Sequence, residues 1–285
     1  MTVLSRLFVI LQHILPRYLL TTAVYRIARI RSRAIKNFLI EQFIRLYDVS
    51  VDEVKRDIPD GFASLNEFFT RELADDARPI DTGPTSVTSP VDGTVSQSGS
   101  LTTNTIFQAK GLFYSLDDLL ATDLNAAHRY NDGSFATIYL APYNYHRVHA
   151  AFDGTLEALH YVPGDLFSVN AATVSRIPGL FRRNERLILH FSTPQGPAVL
   201  IFVGALNVGS ISTPWTGEIR PLKKGTVHAL EPNATSRSVK RGDLLGWFNM
   251  GSTVIVLFPP GVCDWEESLT AGRTVRMGEA IGHLK

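Results

Sequence analysis

The chain has 285 residues, of which 45% are apolar and 19% charged, so it is no disordered segment and can fill the core of one large or two small domains. Its single cysteine, Cys263, excludes an internal disulfide and a cysteine-pair zinc site. The net charge of +1 hides an asymmetry: residues 1–45 carry eight basic side chains against Glu41 alone, a net +7.

Within that basic arm, Leu4, Leu7, Phe8, Leu11, Ile14 and Leu15 fall at helical spacing. Pro16 suits the first turn of a second helix, where its missing N–H costs nothing. There Leu19, Leu20, Ala23, Val24, Ile27 and Ala28 repeat in register, and Ile35, Phe38, Leu39, Phe43 and Leu46 give a third helix. No run reaches the ~18 uninterrupted apolar residues of a spanning helix. Gln12 and His13 interrupt the first segment and no small-residue cleavage site follows, so a signal peptide is not expected. Amphipathic helices on an anionic membrane surface and helices packed on the body or on a second subunit both fit. The apolar fraction is too high for a phosphate-binding stripe, so nucleic acid is not expected as partner.

Ser64-Leu-Asn-Glu67 forms a capping box that opens a short helix through Leu73, and Ser115-Leu-Asp-Asp118 opens another. From about Val87 the texture changes to short strands broken by glycine: Phe135–Leu140, Thr155–Tyr161, Leu187–Phe191, Val199–Val203 and Thr253–Phe258. The expected class is α+β, with N-terminal amphipathic helices over residues 1–60 and a mainly β, barrel-sandwich-like body over 61–285. Val91-Asp-Gly-Thr-Val95 and Phe152-Asp-Gly-Thr-Leu156 look alike, and each Asp-Gly reads as a hairpin turn.

Two histidines stand close together in Tyr145-His-Arg-Val-His149. In a strand, positions i and i+3 face opposite sides, so one site needs a bend, which Pro142 and Asn144 make feasible. A third metal ligand is not evident. Gly251-Ser252 precedes the apolar run Val254–Phe258. It reads as a turn entering a strand, or as a place where a serine hydroxyl attacks the preceding carbonyl, with glycine allowing the unusual backbone and histidine taking the proton. A metal-dependent hydrolase using His146 and His149, and a non-enzymatic membrane scaffold, are the rival classes.

Along nearly its full length the chain resembles bacterial phosphatidylserine decarboxylases. The resemblance is carried by Asn66-Glu-Phe-Phe-Thr-Arg71, Arg78-Pro-Ile-Asp81, Ser89-Pro-Val-Asp-Gly93, Gln108-Ala-Lys-Gly111, Tyr145–His149, Tyr161–Val169, Asn184-Glu-Arg186 and Gly251-Ser-Thr253. The family's Leu-Gly-Ser-Thr has Met250 at its first position here, a volume-conserving change.

The resemblance implies self-cleavage between Gly251 and Ser252. A β chain of 1–251 and an α chain of 252–285 would result, with Ser252 converted to a covalent pyruvoyl cofactor and no metal. It implies a triad of Asp92, His149 and Ser252 for cleavage, with His146 serving turnover and Ser168 and Asn170 holding the head group of phosphatidylserine. The pH–rate profile is expected to show an ionisation near the usual histidine range, ~6.5 before any environmental shift. It further implies a β/α pair that dimerises and docks through residues 1–45 on anionic lipid, peripherally, at the cytoplasmic face of the cell membrane.

Overall fold

The computed structural model describes residues 3–121, 127–222, 225–233 and 236–285, with side chains from Val9 onward. Three helices open the chain: α1 (Val3–Ile14), α2 (Arg17–Ala28) and α3 (Arg33–Tyr47). Among the described residues, no helix is long and apolar enough to cross a membrane. Each helix has a docked face and a bare one. Val9, Ala28, Ile40 and Phe43 are buried, whereas Ile14, Leu19, Phe38 and Leu46 are 60–77% exposed. Packing on the body is therefore real, and it leaves a row of large apolar side chains uncovered.

The capping box opens α4 (Leu65–Phe69): the Ser64 hydroxyl accepts from the Glu67 N–H at 3.2 Å, and the Glu67 carboxylate accepts from the Ala63 N–H at 2.7 Å. The helix stops at Phe69 rather than Leu73. Its continuation is captured by residues 53–55, since Lys55 N–H donates to Glu72 and Ala74 N–H to Glu53. Phe62, Leu65, Phe68 and Phe69 join Ala28, Ile40, Phe43 and Val49 in a separate small core, with Met250 packed against it.

The body is built on an antiparallel sheet of nine strands. Its path runs β12 (His228–Leu230), β7 (Gly154–Val162), β8 (Arg186–Thr193), β9 (Gly196–Val203), β15 (Ser252–Phe258), β5 (Ser134–Leu140), β2 (Gly93–Ser100) and β17 (Thr274–Val275). The ninth strand, β13 (Ser238–Val239), also pairs with β7. All seven residues of β15 are buried, because β9 and β5 flank it and both faces are covered. Beside this sheet lie a three-stranded one, β1 (Ser86–Thr88), β18 (Ala280–Leu284) and β16 (Cys263–Trp265), and a four-stranded one. The latter runs β11 (Gly217–Ile219), β10 (Ile211–Thr213), β14 (Leu244–Phe248) and β6 (Arg147–His149). A hairpin of β3 (Thr105–Ala109) and β4 (Leu112–Ser115) leads to the short α5 (Leu116–Leu120), while α6 (Ala171–Val174) and α7 (Leu180–Arg183) precede β8. The class is α+β, and the sheets are open rather than closed.

The two Asp-Gly pairs are not hairpin turns. Gly93 opens β2 and Gly154 opens β7. A Cβ on either would meet a carbonyl oxygen of the neighbouring strand, Tyr139 at 2.5 Å or Ser192 at 2.8 Å. Glycine is required there by close backbone approach.

Candidate active site

Ser252 is the first residue of β15, opposite Leu140 of β5. The residue before it, Gly251, has φ +42°, and a Cβ there would meet nothing within 4 Å. The junction thus combines a left-handed backbone with open space. Asn249 anchors the approach. Its amide donates to the hydroxyls of Ser210 at 2.8 Å and Ser212 at 3.0 Å, and its carbonyl oxygen accepts from Asn66 of α4 at 3.0 Å. The hydroxyl of Ser252 is buried and has no hydrogen-bond partner. A buried hydroxyl left unpaired costs on the order of 1–3 kcal/mol, so the fold holds it free at some expense.

His146 belongs to the same neighbourhood. Its carbonyl accepts from Phe248 N–H, and its ring lies tilted against Phe69, 4.0 Å between centroids, whose cluster also takes Met250. Its Nδ1 lies 2.8 Å from the carbonyl of Asn144. A carbonyl only accepts, so Nδ1 carries the hydrogen and Nε2 is an unprotonated lone pair, buried and unpartnered. Burial, reinforced by the cation of Arg71, pushes the imidazole down to about 3 against the opposing Asn144 hydrogen bond. His146 is therefore neutral across the physiological range. Its surroundings thus move it well below the unshifted histidine value of 6.5.

His149 and Asp92 form a second group. The His149 N–H donates to Pro90 at 2.8 Å, which ties β6 to the loop carrying Asp92. The imidazole, however, bonds elsewhere. Nδ1 is 2.7 Å from the Gly242 carbonyl and Nε2 is 3.0 Å from the Tyr145 hydroxyl. Burial lowers its pKa, and nearby Arg147 adds to this, while the Gly242 hydrogen bond, Asp92 and Asp243 oppose. The Asp92 carboxylate is saturated by Arg78, at 2.8 and 2.5 Å, and by the Met277 N–H at 2.8 Å. Arg78 is in turn bridged to Glu53 at 2.8 Å. No hydrogen bond joins Asp92, His149 and Ser252 in the uncut chain; Asp92 reaches His149 through its field.

Ser168 and Asn170 sit on the loop between β7 and α6. Asn170 caps α6 by accepting from Thr173, and the Ser168 N–H donates to Gln12 of α1 at 2.8 Å. Val169, between them, lines a cavity of about 360 Å³ together with Thr94, Tyr139, Lys110 and Val174. Tyr139 lies opposite Thr253, so this cavity reaches to within one residue of the Ser252 register. Among the described residues, no group of three or more His, Cys, Asp or Glu is arranged to hold a metal. Sequence reasoning gave no role to Asn249 or Gly242, noted Gln12 only as an interruption of the first helix, and quoted Arg78 and Tyr145 without giving them a role.

Comparison with known proteins adds the family. A model described as phosphatidylserine decarboxylase matches residues 65–283, and a second, described as PSD, matches residues 7–48. The chain is 43% identical to a phosphatidylserine decarboxylase proenzyme of Hahella chejuensis, over 100% of this chain and 96% of that protein. It is 42% identical to the one of Saccharophagus degradans, over 98% of each, and 44% identical to that of Pseudomonas fluorescens, over 98% and 97%. Likeness at this level, end to end and across both arm and body, means that the chain belongs to the phosphatidylserine decarboxylase family.

Proposed function

We propose that the chain is made as a precursor, cuts itself between Gly251 and Ser252, and then decarboxylates phosphatidylserine to phosphatidylethanolamine and carbon dioxide. One observation carries this reading beyond family membership: an unpaired, buried Ser252 hydroxyl follows a glycine at φ +42°. In the first step Oγ bonds to the Gly251 carbonyl carbon, and its proton passes to His149 and on to the Ser252 nitrogen as the C–N bond breaks, leaving an ester and a free amine. Asp92 stabilises the imidazolium by its field. Loss of the Ser252 α-proton then expels the Gly251 carboxylate, and hydrolysis releases ammonia, leaving a pyruvoyl group on residue 252.

That group supplies an electron sink for the carbon that loses carbon dioxide. The residues of this chain do the rest. His146, neutral and with Nε2 unpaired, accepts a hydrogen bond at the reacting head group and assists the decarboxylation and protonation steps. Ser168 and Asn170 hold the head group at the wall of the 360 Å³ cavity, where Val169 already contributes. Residues 1–45, net +7 with bare apolar side chains, dock peripherally on anionic lipid at the cytoplasmic face. The β and α chains stay together, and the pair dimerises.

Intact mass of the purified protein tests the reading. Two chains are expected, 1–251 and 252–285, the smaller lighter by one ammonia than a serine-terminated peptide. Ser252→Ala should remain a single inactive chain. An uncleaved wild type with full activity would falsify the assignment.

A further inference from the structure

β3 and β4 form a two-stranded ribbon that joins no other sheet among the described residues. Side chains alternate across such a ribbon. Ile106, Gln108 and Tyr114 turn inward and are at most 5% exposed. Phe107 and Phe113 lie opposite each other on the outer face, their ring centroids 5.2 Å apart. Phe113 is 56% exposed, more than any other large apolar side chain described beyond residue 51. A strand face that meets water ordinarily carries polar residues; this one carries two phenylalanines. Lys110 and Gly111 stand at the tip, and residues 105–115 hold no carboxylate.

The ribbon and the N-terminal arm grip one and the same segment of chain. Gln108 donates to the carbonyls of Val174 at 2.6 Å and Ile177 at 2.9 Å, and accepts from the Leu180 N–H at 3.0 Å. Gln12 of α1 donates to the Thr173 hydroxyl at 3.1 Å and accepts from the Ser168 N–H at 2.8 Å. Lys110 of the ribbon and Val174 of α6 line the 360 Å³ cavity together. Both elements that hold this segment therefore leave large apolar side chains bare, Phe113 on the ribbon and Ile14 of α1, which is 77% exposed.

We infer that the β3–β4 ribbon is a second foot on the membrane, with Phe113 entering the acyl boundary of an anionic bilayer and Lys110 at the level of its phosphates. The inference rests on the reading of residues 1–45 as a peripheral dock on anionic lipid. Helices lying in an interface leave the body free to roll about them. A second contact fixes the roll, so that the cavity beside the ribbon faces the surface where the head groups lie. The charges agree with an anionic partner. The nearest carboxylates along the chain, Asp117 and Asp118, are engaged by Asn104 at 2.6 Å and by Arg182 at 3.1 Å. A second copy of the chain is the weaker fit. Two phenylalanines offer at most a few hundred Å², well short of the ~800 Å² per partner of a stable protein interface.

The test uses the full-length, self-cleaved protein and vesicles of phosphatidylglycerol with phosphatidylcholine brominated on its acyl chains. Bromine quenches tryptophan only where the two meet in the bilayer. Phe113→Trp should be quenched beyond the wild-type background, as Phe38→Trp on the arm should be. Phe113→Asp should bind these vesicles about tenfold more weakly, the order expected for one aromatic side chain kept out of an apolar phase. It should still cleave itself and turn over detergent-dispersed phosphatidylserine as wild type does, and Phe113→Leu should bind nearly as wild type. A Phe113→Trp variant left unquenched by vesicles that quench Phe38→Trp would overturn the second foot and leave the arm as the dock. So would a Phe113→Asp variant that binds vesicles normally; if its sedimentation then showed fewer subunits, the ribbon would belong to a contact between copies. A wild type and a Phe38→Trp variant that both ignore the vesicles would remove the docking reading together with this one.

Discussion

At the scale of single residues, the two histidines of Tyr145-His-Arg-Val-His149 differ in what their environments let them do. His146 is neutral with a free Nε2, and His149 has both nitrogens engaged. His146→Ala should therefore still split into two chains, yet turn over phosphatidylserine more slowly by on the order of 10²–10⁴-fold, the usual contribution of a positioned proton carrier. Normal turnover by the cleaved variant would remove His146 from the chemistry. The sign of its pH effect also follows. The folded pKa, about 3, lies below the unfolded 6.5, so between those values the unfolded chain binds more protons. The contribution to stability is complete above about 6.5 and is lost as pH falls toward 3, a difference of a few kcal/mol. Ser252→Ala/His146→Asn should accordingly lose less stability than Ser252→Ala between pH 7 and pH 4, as read by urea unfolding. The roles proposed for these histidines come from family likeness alone. Spacing alone left both on a strand or loop, and neither Asn144 nor Gly242, whose carbonyls set the tautomers, has a side chain that announces it.

Among the elements, α1 is the one whose position matters beyond packing. Gln12, fully buried, accepts from the Ser168 N–H at 2.8 Å and donates to the Thr173 hydroxyl at 3.1 Å. Arg17 reaches Asp165 at 3.3 Å and covers the Phe167 ring at 4.0 Å. The arm thus grips the loop that bears Ser168 and Asn170. Gln12→Ala would leave the Ser168 N–H unpaired, a cost of ~1–3 kcal/mol, while the Thr173 hydroxyl keeps its bond to Asn170. We expect self-cleavage at the wild-type rate but a raised KM, measured on phosphatidylserine in detergent so that membrane docking plays no part. An unchanged KM would detach the arm from the loop in function. The long strands were readable because β5, β8, β9 and β15 carry mainly apolar runs rich in β-branched and aromatic residues, bounded by turn residues. The two- and three-residue strands β1, β6, β10–β13, β16 and β17 were not, since so short a segment has no period. Nor could any pattern reveal Gln12 on Ser168, two residues 156 positions apart.

For the molecule as a whole, the position of the proposed cut is the decisive feature. β15 belongs to the 252–285 segment, yet it pairs over its full length with β5 on one side and over five positions with β9 on the other. The same segment supplies β16, β17 and β18, and its Met277 N–H holds Asp92. After cleavage the small chain should co-purify with the large one and separate only in denaturant. A sheet that lacks its middle strand is not one that the first 251 residues can form alone, so folding has to precede cutting. The cut then erases the covalent link that let β15 find its place. Heated and cooled, the Ser252→Ala precursor should regain its circular dichroism, and the mature enzyme should not, even at dilutions where aggregation is negligible. The mature protein is then a structure with a past: it persists by the height of its unfolding barrier, and no sequence left in either chain can rebuild it.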